Sequence, residues 1–404
     1  MQNIFTSMKN QKQAIILALG HGGTHWTQTA IYLLLPYITI DLGFTYTQAG
    51  LLLTVFYIAN FCSSIASGPL VDLTGRYVIF QVISLFMGWV ALLLISVSTS
   101  IFFLFLSVIL IGSCVSLWHP AALTFISVKY PNTRGFAVAI HSIGASLGDA
   151  LVPLVGGFLL YFLTWNGTAA ILSIPLFFLM LMVYFYLDDY RSDVNSTNIK
   201  SSSSKLSVSN YINNLKILLK NTQLIPLVIV AGVRTTTQNG ILFAMPLYLV
   251  INIGVSPAIV GASLFSMQIG GLFSGPICGI LSDKIGRKPV ALVGLILCLL
   301  LIPLLTISEN HFFLILLSGM IGFAIYSGRP VVQSWALDIA PDKTSGSVIS
   351  LLFMAQVGFA AVFTPIGAIV ADIYGLEIIF YMLSAICMTT SIIVFFIPSK
   401  TGKI

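Results

Sequence analysis

Seven ionisable side chains lie inside long apolar stretches of the sequence, where a charge is costly. A guanidinium group presents a planar fork that matches the oxygens of a carboxylate or a phosphonate, and an imidazole exchanges a proton near neutral pH. A charge at the centre of a bilayer costs about 2.5–3.5 kcal/mol on insertion scales, so those that are retained usually face a cavity. Solute binding and proton transfer are therefore predicted for Arg234, Arg329, His21, His25, His119, His141 and Asp149.

Polar neighbours accompany both arginines. Arg234 opens the run Arg-Thr-Thr-Thr-Gln, and Arg329 lies between a glycine and a proline. We expect both guanidinium groups to be buried. Because these stretches hold two arginines and four histidines against one aspartate, an anionic or zwitterionic solute is favoured over a cationic one. The predicted solute-binding residues are Arg234, Arg329, His119, His25, Gln238, Gln333 and Trp335.

The predicted carriers of a coupling proton are Asp149, His21 and His141, because these side chains can take up and release a proton. Structural alternatives stay open for each of the titratable residues. His21 and His25 are four residues apart on one helix face, where they could bond to backbone groups. His119 precedes a proline, which frees a backbone carbonyl one turn earlier that the ring could satisfy. Asp149 could be neutral or paired with a histidine.

The composition is that of a chain surrounded by lipid. Charged residues make up 7% of the 404 residues and hydrophobic ones 57%, and the mean hydropathy is +1.01. A typical soluble domain is about 25% charged, so a soluble enzyme and a nucleic-acid-binding domain are excluded. The five cysteines lie in apolar runs, without C-x-x-C pairs or histidines at ligand spacing. We therefore predict no disulfide framework, no metal site and no cofactor.

Twelve segments are long and apolar enough for membrane helices, each of which needs about 20 residues. The longest polar stretch predicts a division into an N-terminal six-helix domain at 1–187, a cytoplasmic linker at 188–222 and a C-terminal six-helix domain at 223–404. We interpret the first segment as a retained span and not as a signal peptide. The segments are approximately 13–36, 47–67, 78–97, 101–123, 135–160, 168–187, 223–250, 256–279, 289–307, 312–337, 346–371 and 376–397.

The cations fix the predicted orientation. Sixteen of the 18 lysines and arginines fall on one side of the membrane if the N-terminus is cytoplasmic. The positive-inside rule therefore predicts an integral multi-pass protein of the plasma (inner) membrane with both termini in the cytoplasm. Since this topology accounts for the net charge of +6, no nucleic-acid partner is predicted.

A loop motif occurs twice, at a constant offset of 211 residues. His119-Pro120 and Arg329-Pro330 also repeat, at an offset of 210. A period of half the chain predicts two parallel six-helix repeats, which is a transporter architecture. We expect the motif glycines to permit tight turns and close helix approach. The two copies comprise Gly68, Asp72, Gly75 and Arg76 after the second segment, and Gly279, Asp283, Gly286 and Arg287 after the eighth.

This repeated G-x-L-x-D-x-x-G-R motif resembles the signature of the major facilitator superfamily. The resemblance implies an all-α membrane protein with twelve transmembrane helices, arranged as two pseudo-symmetric six-helix bundles and working as a monomer. It also implies that the Asp and Arg of both copies form a cytoplasmic latch that gates transport, and that helices 1, 4, 7 and 10 line a central cavity. Because Tyr77 replaces a second basic residue, the first latch is expected to be the weaker one.

Two further resemblances concern the branch of that superfamily and the direction of transport. The fifth segment is similar to a Gly/Pro-rich motif of exporters between Gly144 and Gly157, but Ala139 and Val152 replace two of its glycines. Export is thus suggested without being established. A resemblance to the fosmidomycin-resistance branch rests on Gly20-His21, His25, Leu35-Pro36 and Trp118-His119-Pro120.

These observations predict a secondary active transporter that moves a small organic solute by alternating access, coupled to protons. The alternative is a polyspecific drug/proton antiporter that acts as an efflux pump. An ATP-driven pump is not supported, because the sequence contains no G-x-x-x-x-G-K-[ST] phosphate cradle. A membrane-embedded enzyme is not predicted either, since the histidines form no H-E-x-x-H motif. A channel would be recognised by a solute flux that does not saturate. A non-transporting sensor would show no solute flux.

Overall fold

The structure, a computed structural model, describes residues 11–187, 223–340 and 345–398. Within these ranges the regular structure is helical, which agrees with the predicted all-α fold. A π-helix, Tyr248–Ile253, continues the helix Leu224–Leu247, and a 3-10 helix, Ile302–Thr306, continues the helix Arg287–Leu301. The helices are α1 Lys12–Asp41, α2 Tyr46–Thr74, α3 Tyr77–Ser96, α4 Ile101–Lys129, α5 Arg134–Phe162, α6 Trp165–Tyr186, α7 Leu224–Leu247, α8 Pro257–Ile285, α9 Arg287–Leu301, α10 His311–Asp338, α11 Ser345–Tyr374 and α12 Glu377–Phe396.

Ten of these helices are long and apolar enough to cross a membrane. The other two, α1 and α7, have 30 and 24 residues but fall short in hydropathy. Both carry polar residues of the predicted sites, histidines and threonines in α1 and an Arg-Thr-Thr-Thr-Gln run in α7. A helix satisfies its own backbone hydrogen bonds in lipid. This leaves the polar side chains without partners in lipid. They therefore need polar groups of the protein, which the neighbouring helices supply.

The loop motif glycines have two different roles. Gly75 ends α2 in the left-handed conformation, with φ 60°, and Gly286 precedes α9 with φ 98°. These two glycines permit the tight turns that the motif predicts. A Cβ atom at Gly68 or Gly279 would meet nothing within 4 Å. The expectation of close helix approach is therefore wrong for this second pair within the described residues.

The described residues form two compact units. The first takes the described part of Met1–Val194 together with Leu249–Phe265, and the second takes that of Asn195–Tyr248 together with Ser266–Ile404. The predicted linker at 188–222 lies outside the described residues. The domain limits at 187 and 223 stay a prediction.

The first unit contains a close contact between α1 and α5. A Cβ atom at Gly144 would overlap the backbone of Ala18, and one at Gly148 would overlap the backbone of Gly22. Small residues four apart allow such an approach. Because the two backbones touch, α1 and α5 bring their polar side chains into direct contact.

Candidate functional site

Asp149 of α5 is bound by two residues of α1. His25 Nδ1 donates to Asp149 Oδ2 at 2.9 Å, and Thr29 Oγ1 donates to Oδ1 at 2.6 Å. Since Thr29 follows His25 by one helical turn, a single face of α1 satisfies both carboxylate oxygens. The side chains of His25 and Asp149 are 18% and 23% exposed, so the pair can be reached from outside. The pairing of Asp149 with a histidine was one of the alternatives that the sequence left open.

His141 of α5 is held between a histidine and a tryptophan. Its ring stacks on that of His21 with a centroid distance of 3.9 Å, and its carbonyl oxygen accepts a hydrogen bond from His21 Nδ1 at 2.9 Å. Trp118 Nε1 of α4 donates to His141 Nε2 at 3.0 Å. Because an indole N–H can only donate, His141 Nε2 carries no proton in this arrangement.

His119 completes the cluster from α4. Its centroid lies 5.0 Å from that of His21 and 6.4 Å from that of His25. Its Nδ1 donates to the carbonyl oxygen of Val115 at 2.8 Å, which is the kind of local bond that its structural alternative expects. We call His21, His25, His119, His141 and Asp149 the histidine cluster. The sequence divided these five residues between solute binding and proton coupling, whereas the structure brings them together.

The sequence did not predict a role for three hydrogen-bonding residues of the first unit. Trp118 and Thr29 contact the histidine cluster directly. Tyr32 lies further along α1 and shares a hydrogen bond with Tyr57 at 2.8 Å between hydroxyl oxygens. The spacing of Thr29 from His25 was a usable signal. The contact of Trp118 with His141 was not, because it joins two helices.

In the second unit, Arg234 is the centre of a network of neutral groups. Its Nη1 donates to Gln238 Oε1 at 2.9 Å, and its Nη2 donates to Thr235 Oγ1 at 2.7 Å and to Gln356 Oε1 at 3.3 Å. Gln238 Nε2 in turn donates to the hydroxyl of Tyr326 at 3.3 Å. Arg234 is only 7% exposed, and none of the described acidic side chains forms an ion pair with it. Sequence reasoning missed Gln356 and Tyr326.

The other residues of the predicted solute-binding set lie apart from this network. Arg329 is exposed, so the expectation that it is buried is wrong. It follows Gly328, where a Cβ atom would lie 3.2 Å from the Arg234 side chain. Trp335 is buried but lines a pocket with Asp283 and Asp338 at the repeated motif. Gln333 is partly buried on the same helix, α10.

The second copy of the loop motif forms a local ion network. Arg287 Nε donates to Asp338 Oδ2 at 3.0 Å, and Nη1 donates to Ser282 Oγ at 2.7 Å and to Asp283. Sequence reasoning missed Asp338, because it lies on another helix. In the part of the chain that the structure describes, Asp72 and Arg76 of the first copy are exposed and form no ion pair.

One pattern typical of serine hydrolases occurs in the chain. The residues from Gly144 to Gly148 read Gly-Ala-Ser-Leu-Gly, which matches G-x-S-x-G. A nucleophile elbow requires a sharp turn between a strand and a helix, but these residues lie in the middle of α5. The two glycines instead contact α1, so the pattern gives no support to an enzyme.

Comparison with known proteins agrees with this architecture. The chain is 24% identical over 410 residues to the glycerol-3-phosphate transporter of Bacillus subtilis (strain 168), covering 95% of this chain and 91% of the relative. It is 25% identical over 386 residues to the multidrug resistance protein MdtG of Salmonella typhi, covering 92% and 91%. With the fosmidomycin resistance protein of Escherichia coli (strain K12) it shares 22% identity over 401 residues, covering 96% and 93%.

A solved structure and a family model complete the comparison. The fold matches that of a bacterial homologue of the human lysosomal transporter Spinster, with a TM-score of 0.81, 14% identity and 97% coverage of both chains. The family model described as Major Facilitator Superfamily matches residues 17–251 and 227–403. The predicted resemblance to the fosmidomycin-resistance branch is confirmed. The chain is an integral multi-pass membrane protein with the fold of a transporter, and it belongs to the major facilitator superfamily.

Proposed function

We propose that this protein is a secondary transporter that moves a small anionic or zwitterionic organic solute by alternating access, coupled to protons. The observation that carries the proposal is the surroundings of Arg234. Its guanidinium is buried among neutral oxygens of Gln238, Thr235 and Gln356. A buried charge without a counter-ion is costly, so an arriving anion would complete the pairing.

The residues beyond Arg234 support a polar solute. Tyr326 links Gln238 to Gln268, to which it donates at 2.7 Å, so hydroxyl and amide groups extend the network. Such groups can fix the orientation of an anion once the guanidinium has bound its oxygens. The relative named as a glycerol-3-phosphate transporter carries an anion of this class.

The proposal assigns different roles to the other predicted solute-binding residues. Exposed Arg329 attracts the anion towards Arg234, and Gln333 contributes from the same helix. Trp335 belongs beside the motif residues rather than beside the solute. His25 and His119 remain proposed solute contacts of the first unit.

The proposed coupling ion is the proton, carried by Asp149, His21 and His141. Support comes from the contact of Asp149 with His25 and from the stacking of His21 on His141. His141 can take a proton on Nε2 only after the hydrogen bond from Trp118 breaks. Protonation would therefore reorganise the contacts among α1, α4 and α5.

The proposed gate is the repeated loop motif. Arg287 joins Asp283 to Asp338 and so ties α8 to α10. The comparable residues of the first copy are Asp72 and Arg76. We further propose that the protein works as a monomer in the inner membrane, with both termini in the cytoplasm.

The second candidate function is a polyspecific drug/proton antiporter. It is favoured by the similarity to the multidrug resistance protein MdtG and by the glycine contacts between α1 and α5. The two candidates differ in the charge of the solute. An exporter of cationic drugs would leave Arg234 without a counter-ion.

A ligand screen on the purified protein tests the proposal. Small carboxylates, phosphate esters and phosphonates should raise its melting temperature, whereas cationic dyes should not. Arg234→Gln should lose this stabilisation, and Arg134→Gln, a matched change at an exposed arginine, should keep it. Solutes that bind are then assayed in proteoliposomes under an imposed pH gradient. Stabilisation by cationic solutes alone would contradict the proposal and favour the antiporter.

A further inference from the structure

We propose that His21, His25 and His119 form a binding site for a divalent transition-metal ion such as Zn²⁺. The ligand nitrogens of these three side chains lie within 4.8 Å of one another. Two of the histidines come from α1 and the third from α4. The sequence predicted no metal site because spacing within one helix cannot show a ligand that a second helix supplies.

The hydrogen bonds around the three rings have the pattern of a metal site. In each ring Nδ1 donates to an oxygen: His21 to the carbonyl of His141 at 2.9 Å, His25 to the carboxylate of Asp149 at 2.9 Å and His119 to the carbonyl of Val115 at 2.8 Å. Histidines that bind metals almost always donate their second ring nitrogen to such a group, which fixes the tautomer. Nε2 is consequently the nitrogen that would bind the ion in each ring.

The state of His21 points to a missing ligand. His21 is 5% exposed, and its Nε2 has no hydrogen-bond partner among the described residues. A buried polar atom without a partner is unfavourable, and most such atoms in native proteins are satisfied. A metal ion held by His21 Nε2 would supply the missing interaction.

The distances fit an ion after a small adjustment. Zn–N bonds of about 2.0–2.1 Å place tetrahedral ligand nitrogens about 3.3 Å apart. One ring nitrogen of each histidine lies within 4.8 Å of the others, so the rings must draw together by about 1.5 Å at most. Imidazole ligands favour Zn²⁺, Cu²⁺ or Ni²⁺ over Mg²⁺ and Ca²⁺. His25 and His119 are partly exposed, which gives the ion a path to the buried His21. Three protein ligands leave a fourth position for water or solute.

This inference shares His25 and His119 with the proposed solute contacts, but it does not depend on the anionic solute, because Arg234 and its partners lie in the second unit. If the protein binds the anionic solute but not Zn²⁺, only the metal inference fails. If it binds Zn²⁺ but not the anionic solute, only the proposed function fails. Asp149 acts here as a positioning residue, since it touches His25 and not the ion.

Calorimetric titration of the purified full-length protein with Zn²⁺ tests the site. We expect one saturable Zn²⁺ ion per chain, no binding of Mg²⁺, and a Co²⁺ absorption spectrum with nitrogen ligands. His25→Ala and His119→Ala should each weaken Zn²⁺ binding at least tenfold. Asp149→Asn should weaken it by about 10–100-fold, because a neutral amide accepts a weaker hydrogen bond from His25 Nδ1 than the carboxylate does. His311→Ala is the matched control, because His311 is the one histidine of the five outside the histidine cluster and lies at the start of α10.

Three outcomes would overturn the inference. One is the lack of saturable Zn²⁺ binding by the wild-type protein. Another is unchanged affinity in both His25→Ala and His119→Ala, and the third is equal loss of affinity in His311→Ala. If the alanine variants do not fold, His25→Gln and His119→Gln replace them, and the Co²⁺ spectrum of the wild-type protein decides whether imidazoles bind the ion.

Discussion

The two units place their ionisable residues in opposite surroundings. In the first unit the Asp149 carboxylate is satisfied internally by His25 and Thr29. In the second unit Arg234 is more deeply buried, at 7% exposed, and meets neutral oxygens among the described residues. Internal compensation suits a group that exchanges a proton, whereas an unpaired guanidinium suits a site that awaits an anion.

One position of the repeat shows this difference. Gly148 and Gly358 match at the offset of 210, so the residue after each glycine is Asp149 in α5 and Phe359 in α11. The Phe359 ring lies against Gly232. The second unit thus has an aromatic ring where the first has a carboxylate. The repeat preserved the helices while their polar contents diverged.

The largest expected effect is at Arg234. Arg234→Gln removes the proposed anion partner, and because losing one partner of a buried charge pair costs about 2–5 kcal/mol, solute affinity should fall by at least about 30-fold. The free energy of unfolding should change little, since the neutral partners can bond to the new amide. Binding is measured by the ligand-induced shift in melting temperature.

Arg329 and Arg134 provide the comparisons for this change. Arg329→Gln should weaken binding less than Arg234→Gln, because Arg329 is exposed, and Arg329→Lys should weaken it less again. Arg134→Gln should have no effect. Equal effects at Arg234 and Arg134 would contradict the proposed role of Arg234 in binding the anion, and with it the contrast between the two units.

The second expected effect concerns helix packing. Gly148→Ala places a methyl group against the backbone of Gly22, and overpacking of this kind costs about 1–3 kcal/mol. Gly358→Ala should be neutral or stabilising by up to about 1 kcal/mol, because its Cβ meets nothing within 4 Å and alanine favours a helix. Thermal unfolding in detergent compares the two variants. A larger loss at Gly358 would contradict the packing described for α1 and α5.

The third prediction separates proton coupling from solute binding. Asp149→Asn keeps the shape of the side chain but cannot release a proton, so accumulation of solute driven by a pH gradient should be lost. Solute exchange at equal pH should persist, in contrast to Arg234→Gln. Glu309→Gln, at an exposed loop residue, is the control. Gradient-driven accumulation by Asp149→Asn at the wild-type rate would exclude the proposed proton carrier.

The smallest effect is expected at the loop motif. Asp283→Asn should slow solute flux several-fold, because it removes one partner of Arg287. Stability should change by less than about 1 kcal/mol, since the carboxylate is largely exposed. Asp72→Asn should slow flux less, because Asp72 has no ion pair in the described residues. Initial rates in proteoliposomes compare them, and a larger effect at Asp72 would reverse the order of the two latches.

The sequence alone predicted the fold of this protein. Apolar segments of sufficient length require helices in lipid, because a helix satisfies its own backbone polar groups there. The superfamily followed from the repeated motif. Which residues carry chemistry could also be predicted in large part, because charged and titratable side chains are rare in apolar segments.

Only the tertiary structure decided which of those residues meet. His25 and Asp149 are 124 residues apart, and Arg234 and Gln356 are 122 apart, so no local pattern connects either pair. The sequence also misplaced Arg329, which is exposed, and Trp335, which lies at the motif. Hydropathy fixes that a segment is a helix but not how the helix is rotated about its axis. That rotation is set by packing, such as the contact of Gly22 with Gly148, where the lack of side chains lets two backbones touch.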